Sequence, residues 1–377
     1  MDIRIDSRIK PKGGVSLPPS KSEAIRAALL YALAGEAPEK AVVGFPAPYC
    51  GDIMAALAAC RDISRAYVGE SAALLRFLIP VQAALYGRVD IEAGEALYKR
   101  GLSEAEACLG VRLEPRGGRI TADFRRYKRR YEIDCSRSSQ FLSGLMIALP
   151  LLKHECEIVV KNGLVSKPYA DMTFEFVRLF GGDIERTETG FLTRPSAYRA
   201  PERASVFGDR SYAAVFEAMD LFGGEITVWG ERDPMQPDSD FLLISSLPVI
   251  DVTDCPDLLP LLAVTACGKA GETVIIGTKR LSAKESDRPK AVAALINSLG
   301  GSAKAQEDRL VVHGSGHLEG GRCSSFGDHR IAFAAAVAAL ISNGPVTVEG
   351  AECVKKSAPR FWEDLVGLGM EITEVLN

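Results

Sequence analysis

Hydrophobic positions along the chain mark out six runs that are apolar on nearly every side: 21–34, 71–86, 139–152, 210–222, 257–268 and 329–342. The stretch Ala332-Phe333-Ala334-Ala335-Ala336-Val337-Ala338-Ala339-Leu340 has no polar face, so it predicts a helix buried all round. Each run opens on polar residues. The openings are Ser20-Lys21-Ser22, Gly69-Glu70-Ser71, Ser138-Ser139-Gln140, Gly208-Asp209-Arg210, Pro256-Asp257 and Gly327-Asp328-His329-Arg330. The first also reads as a capping box, with Ser20 at the N-cap and Glu23 three residues on. A buried helix that is hydrophilic only at its amino end should turn that end toward solvent or a cleft.

A second pattern recurs: an apolar helix, a glycine, then a short strand. It appears at Leu179-Phe180-Gly181-Gly182-Asp183-Ile184 and at Leu221-Phe222-Gly223-Gly224-Glu225-Ile226. Leu299-Gly300-Gly301-Ser302 and Leu368-Gly369-Met370 are further copies. Glycine suits the left-handed position that ends a helix and turns the chain into a strand. The irregular spacing excludes an open solenoid and predicts a compact α/β protein with several copies of one motif.

Composition narrows the class. A chain of 377 residues, 47% hydrophobic, is long enough for two or three domains and needs no disulfide or metal staple. Lys and Arg number 45 against 49 Asp and Glu, a net charge of −4, which excludes a globally basic nucleic-acid coat. The basic block Arg125-Arg126-Tyr127-Lys128-Arg129-Arg130-Tyr131 reads as a solvated edge strand rather than an RNA site. Nine scattered cysteines without a CxxC pair, and four histidines without metal-ligand spacing, predict reduced thiols and no metal site. No apolar leader and no membrane-length run is present, so a cytoplasmic location is expected.

The chemistry gathers at helix amino ends. Converging ends would trap anions, because each offers unpaired N–H groups and the positive end of a dipole. In Pro18-Pro19-Ser20-Lys21-Ser22-Glu23-Ala24-Ile25-Arg26, Ser22 and Arg26 share a helix face and Lys21 sits at the start. A hydroxyl, an ammonium and a guanidinium there suit a phosphate or carboxylate.

This segment resembles the opening motif of the 5-enolpyruvylshikimate-3-phosphate synthases, LPGSKSxxxRxLxxAAL. Further blocks resemble that family in the same order: Ser136-Arg137-Ser138-Ser139-Gln140-Phe141 its SSQF, and Ser166-Lys167-Pro168-Tyr169 its SKPY. Asp254-Cys255-Pro256-Asp257 resembles DxPD, and Lys284-Glu285-Ser286-Asp287-Arg288 is similar to KESDR. Asp328-His329-Arg330-Ile331-Ala332 and Cys353-Val354-Lys355-Lys356-Ser357-Ala358-Pro359 complete the series. The resemblance implies an α/β fold (an inverse α/β prism) of two globules, each of three βαβαββ units with buried parallel helices. It places 1–19 with 208–377 in one globule and 20–207 in the other, with the active site in the cleft between them.

The implied reaction transfers the carboxyvinyl group of phosphoenolpyruvate to the 5-hydroxyl of shikimate 3-phosphate, a step toward chorismate and the aromatic amino acids. It proceeds by addition and elimination through a tetrahedral ketal and needs no cofactor or metal. By resemblance Lys21, Asp257, Lys284, Glu285 and His329 are the catalytic group. Asp257 would accept the hydroxyl proton beside Lys284, and Glu285 would serve the methylene carbon. Lys21, Ser22, Arg26, Ser138, Ser139, Gln140, Ser166, Tyr169, Asp257 and Lys284 would hold shikimate 3-phosphate. Lys21, Arg100, Gln140, Arg288, Arg330 and Lys356 would hold phosphoenolpyruvate, with His329 as helper. The partners are small molecules, with no nucleic acid and no membrane, and a monomer is expected.

The bland readings are solvated charges at 284–288, plain caps at Ser138 and Ser139, and a first-turn acid at Asp257. The chain also departs from the family. Its GNAGTxxR-type motif reads Gly69-Glu70-Ser71-Ala72-Ala73-Leu74-Leu75-Arg76. A methyl at Ala72 is expected to crowd the phosphoenolpyruvate pocket, which the inhibitor glyphosate occupies, so weak inhibition is expected. The stretches 60–67 and 241–251 are shorter than the family's, which trims two of six units. The rival functions are UDP-N-acetylglucosamine enolpyruvyl transferase, which uses a loop cysteine, and a catalytically weak anion-binding paralogue.

Overall fold

The structure, a computed structural model, describes residues 1–6, 9–99, 102–124, 127–202, 204, 206–231 and 233–375. The chain forms two compact units: Met1–Pro18 with Gly208–Asn377, and Pro19–Phe207. Each has its own apolar core.

The chain opens with β1 (Asp2–Ile5) and β2 (Lys12–Ser16). The second unit then runs α1 (Lys21–Leu33), α2 (Gly51–Arg61), α3 (Ala72–Tyr86), β3 (Arg88–Glu92), α4 (Glu95–Lys99), α5 (Ser103–Leu109), β4 (Glu114–Arg116) and β5 (Arg119–Asp123). It continues with β6 (Arg130–Asp134), α6 (Gln140–Ala148), β7 (Cys156–Lys161), α7 (Lys167–Leu179), β8 (Asp183–Arg186) and β9 (Gly190–Arg194). Back in the first unit come α8 (Arg210–Leu221), β10 (Glu225–Trp229), α9 (Phe241–Ser245), β11 (Val249–Asp251), α10 (Leu259–Cys267), β12 (Ala270–Ile276), α11 (Arg288–Ser298), β13 (Ser302–Ala305) and β14 (Arg309–Ser315). The last elements are β15 (Gly321–Ser324), α12 (His329–Leu340), β16 (Val346–Glu349), α13 (Phe361–Gly367) and β17 (Ile372–Val375).

One sheet pattern repeats. β11 runs parallel to β12, β12 antiparallel to β14, and β13 antiparallel to β14. β6, β7, β9 and β8 pair in the same way. So do β15, β16, β1 and β17, where β1 supplies the strand that the C-terminal copy lacks. Residues 2–5 therefore belong with the C-terminal half. Other copies are shortened. The first strand of the 67–123 copy is a single parallel bridge, Tyr67 to Glu92. β2 and β10 make a sheet of two parallel strands, followed only by the short α9. The segment 21–61 carries helices and no strand among the described residues.

All six apolar runs are helices, and every residue of α10 and α12 is buried. Burial decides these helices against local chemistry: α3 continues through Pro80. Two runs differ from expectation because of proline, which lacks the N–H a helix needs. The 139–152 run ends as an α-helix at Ala148 and finishes as a tight turn around Pro150. The 257–268 run begins with such a turn at Pro256. The helix-ending glycines Gly181, Gly223, Gly300 and Gly369 all have positive φ, between 82° and 91°. The capping box does not form. Ser20 makes no side-chain cap, and the fully buried Glu23 instead accepts the Phe207 N–H at 2.7 Å.

Candidate active site

In the 19–207 unit the polar amino ends of α1, α6 and α7 meet around Arg26. This guanidinium is 3% exposed. Its Nε donates to Thr173 Oγ1 at 2.7 Å and Nη1 to the Ser22 carbonyl at 2.7 Å. Nη2 donates to the Tyr169 carbonyl at 3.0 Å and to Ser143 Oγ at 3.4 Å. The Phe77 ring lies 4.9 Å away, across the cation. Burial lowers its pKa to about 10, against the weaker attraction of Tyr169 and Glu23. Arg26 thus ties three helices together. The shared face of Ser22 and Arg26 is present, though the bond uses the Ser22 carbonyl.

Ser166 opens α7 with φ 53°, a left-handed conformation uncommon outside glycine. Its carbonyl accepts the Ser139 hydroxyl at 3.2 Å, which joins the starts of α6 and α7. Ser138 Oγ accepts the Gln140 N–H at 3.2 Å, so it caps α6 as well as standing beside Ser139. Lys21, the first residue of α1, places Nζ 3.2 Å from Asp52 in the first turn of α2. Lys21, Ser22, Ser138, Ser139, Gln140, Ser166 and Tyr169 therefore lie at the starts of α1, α6 and α7, with Arg26 in the second turn of α1. Arg100 lies outside the described residues. Asp52, Ser143 and Thr173 were not singled out from sequence. Ser143 and Thr173 are lone polar residues in apolar or mixed helices, a weak signal until their shared partner is seen.

In the other unit the starts of α10, α11 and α12 converge on Arg288, which is 2% exposed. Its Nη1 meets Asp257 Oδ1 at 2.7 Å, Nη2 meets Glu285 Oε2 at 3.1 Å, and Nε meets Asp328 Oδ2 at 2.9 Å. The network extends on both sides. Asp257 Oδ2 pairs with Arg330 Nη2 at 3.0 Å, and Glu285 Oε1 with Lys356 Nζ at 3.0 Å. Asp328 also caps α12 by accepting the Arg330 N–H at 2.9 Å.

The electrostatics follow from this packing. Burial opposes the charge on Arg288, yet Asp328, Asp257 and Glu285 outweigh it and hold the guanidinium firmly protonated. Burial pulls Lys284 down to about 8, against the attraction of Asp257, with Arg288 adding to the fall. His329 is 2% exposed, its ring 5.7 Å from that of Phe333. Asp257, Glu285, Arg288, Arg330 and Lys356 thus form one connected cluster, next to Lys284. Asp328 was part of a quoted motif but not a predicted site residue.

The model of the EPSP synthase (3-phosphoshikimate 1-carboxyvinyltransferase) family matches residues 62–244 and 236–365. The chain belongs to the EPSP synthase family. A 3-phosphoshikimate 1-carboxyvinyltransferase of Clostridium kluyveri is 32% identical, over 97% of this chain and 97% of its own. One from Clostridium perfringens is 30% identical, over 96% of each chain. Among solved structures, an EPSP synthase of Acinetobacter baumannii superposes with TM-score 0.77 at 21% identity, covering 99% of this chain and 100% of that one. The enolpyruvyl transferase NikO of Streptomyces tendae superposes with TM-score 0.70 at 16% identity, covering 99% and 98%. EPSP synthase and NikO alike show the α/β fold.

Burial pushes up the thiols of Cys60, Cys108, Cys135, Cys156, Cys255, Cys267, Cys323 and Cys353, the last to about 11. Among the described residues no helix is long and apolar enough to cross a membrane.

Proposed function

We propose that this protein transfers the carboxyvinyl group of phosphoenolpyruvate to the 5-hydroxyl of shikimate 3-phosphate and releases phosphate. Both substrates carry a phosphate and a carboxylate, so anion clamps at helix ends are the fitting surface. Lys21, Ser22, Arg26, Ser138, Ser139, Gln140, Ser166 and Tyr169 hold shikimate 3-phosphate, Arg26 by fixing the Ser22 and Tyr169 backbone around it. Arg288, Arg330, Lys356, Arg100, Gln140 and Lys21 hold phosphoenolpyruvate. The protein acts as a monomer in the cytoplasm.

In the addition step the hydroxyl oxygen bonds to C2 of phosphoenolpyruvate. Its proton passes to Asp257, with Lys284 at hand. Glu285 gives a proton to C3, which becomes a methyl group. In the elimination step Glu285 takes a proton back from that methyl, the C2–O bond to phosphate breaks, and the vinyl group is restored. The proton on Asp257 leaves with phosphate. Arg288, Arg330 and Lys356 stabilise the charge on the departing group. His329, buried at the start of α12, helps hold the donor's arginines in register.

The observation that carries this reading is Glu285 held between Arg288 and Lys356 while Asp257 is shared by Arg288 and Arg330. Two carboxylates and three cations in one cluster support the roles given to them here. The test is phosphate release with a panel of acceptors. Release is expected with phosphoenolpyruvate and shikimate 3-phosphate together and with neither alone. Release with UDP-N-acetylglucosamine in place of shikimate 3-phosphate would move the assignment to the rival transferase. Binding without release would make the chain an anion-binding paralogue.

A further inference from the structure

A carboxylate outside the set above lies against it. Asp238 sits in the helical turn Pro237–Asp240 after β10 and is 1% exposed. Its Oδ2 accepts a hydrogen bond from the Ser211 hydroxyl at the start of α8. Its Oδ1 is buried and has no hydrogen-bond partner among the described residues. The charged groups facing it are Asp257 before α10, Arg330 in α12 and Asp209 at the cap of α8. The Cys255 thiol also feels its charge.

Arg330 is the complementary half of this arrangement. It is 5% exposed, and one of its terminal nitrogens is committed to Asp257. Its Nε is buried and has no partner among the described residues. Burial opposes its charge and so does Arg288, but Asp257, Asp209 and Asp238 outweigh them. Buried polar atoms are nearly always satisfied. Asp238 and Arg330 thus each keep one buried polar atom unfilled among the described residues, and their charges attract each other. Asp257 bonds to this guanidinium, and Asp238 attracts it without a bond among the described residues.

We propose that Asp238 is a positioning residue whose charge sets how far Arg330 is committed to protein carboxylates rather than to the anionic donor. This rests on the reading in which Arg330 clamps phosphoenolpyruvate. Burial raises the Asp238 carboxyl to about 7, with Asp257 adding to the rise and Arg330 opposing it. The group therefore changes charge in the neutral range. Above that pH its negative charge draws on Arg330 and repels the incoming anionic donor. Below it the neutral acid leaves Arg330 to Asp257 and the substrate.

The test compares wild type with Asp238→Asn, a neutral isostere that keeps an acceptor for Ser211. Phosphoenolpyruvate affinity is measured by calorimetry with shikimate 3-phosphate present, and KM and kcat by phosphate release, from pH 5.5 to 8.5 on the order of half-unit steps. Phosphoenolpyruvate titrates identically in both experiments, so the ratio of the two proteins is read. The wild type should lose about tenfold in relative affinity from pH 6 to 8, in KM and not in kcat. Ser211→Ala, which removes a bond to the charged form, should move the midpoint of that loss to higher pH. A pH-independent ratio, or an unmoved midpoint in Ser211→Ala, overturns the proposal. The predicted pH-dependent affinity without turnover supports it and overturns the transferase reading alone, and no phosphoenolpyruvate binding at any pH overturns both.

Discussion

Arg26 and Arg288 are both buried arginines, and their partners give them opposite characters. Arg26 is surrounded by hydroxyls and carbonyls, so burial wins and its pKa falls to about 10. Arg288 has three carboxylates, and they outweigh burial. Removing Arg288 takes the guanidinium from Asp328, the most buried of its partners, while Asp257 keeps Arg330 and Glu285 keeps Lys356. Breaking a buried pair from one side is costly because it leaves a buried charge uncompensated. Arg288→Met is expected to lose about 3–5 kcal/mol of stability in denaturant titration at pH 7. Burial opposes the charge of Asp328, but Arg288 and His329 outweigh it and hold its carboxyl below 3.8. A carboxyl depressed on folding contributes stability above its unfolded pKa, and that stability is lost as pH falls through the folded value. The gap between wild type and Arg288→Met should therefore narrow below about pH 4.

A separate residue-scale prediction concerns Ala72, the first residue of α3. Ala72→Gly is expected to strengthen glyphosate inhibition of phosphate release over the wild type. Equally strong inhibition of both would remove the steric account. Motif residues were legible in the sequence because several polar types stood together at helix starts. Asp52, Ser143, Thr173 and Asp238 were not. Each is one polar residue whose partner is distant in sequence: Thr173 and Arg26 are 147 residues apart.

Among elements, the six buried helices were legible because no helix without a polar face can sit at a surface. Their ends were less so, since Pro150 and Pro256 replace helical turns with tighter ones. The strand pairing order was not legible, because pairing joins residues that no local pattern connects; the family resemblance implied only the βαβαββ units. The same holds for Glu23, whose spacing matches a capping box but whose carboxylate binds a backbone 184 residues away. α3 and α6 approach so closely that a Cβ at Gly144 would stand 2.4 Å from the Arg76 carbonyl oxygen. Gly144→Ala should push α6 off α3 and cost about 1–3 kcal/mol, despite the better helix propensity of alanine. A thermal melt at or above the wild-type midpoint would contradict that packing.

Over the whole molecule, the chain leaves its first unit after Pro18 and returns at Gly208. This division follows from β1 completing the sheet of β15, β16 and β17. Each unit gathers helix amino ends around a buried arginine, one set by neutral partners and one by carboxylates. The proposed reaction assigns the acceptor mainly to the first kind of cluster and the donor to the second. A crystal structure with shikimate 3-phosphate and an unreactive phosphoenolpyruvate analogue tests that assignment most directly. The expected result is shikimate 3-phosphate on Lys21, Ser138, Ser139 and Ser166, and the analogue on Arg288, Arg330 and Lys356 with Glu285 at its methylene carbon. Both ligands confined to the residues of one unit, or bound away from these side chains, would contradict it.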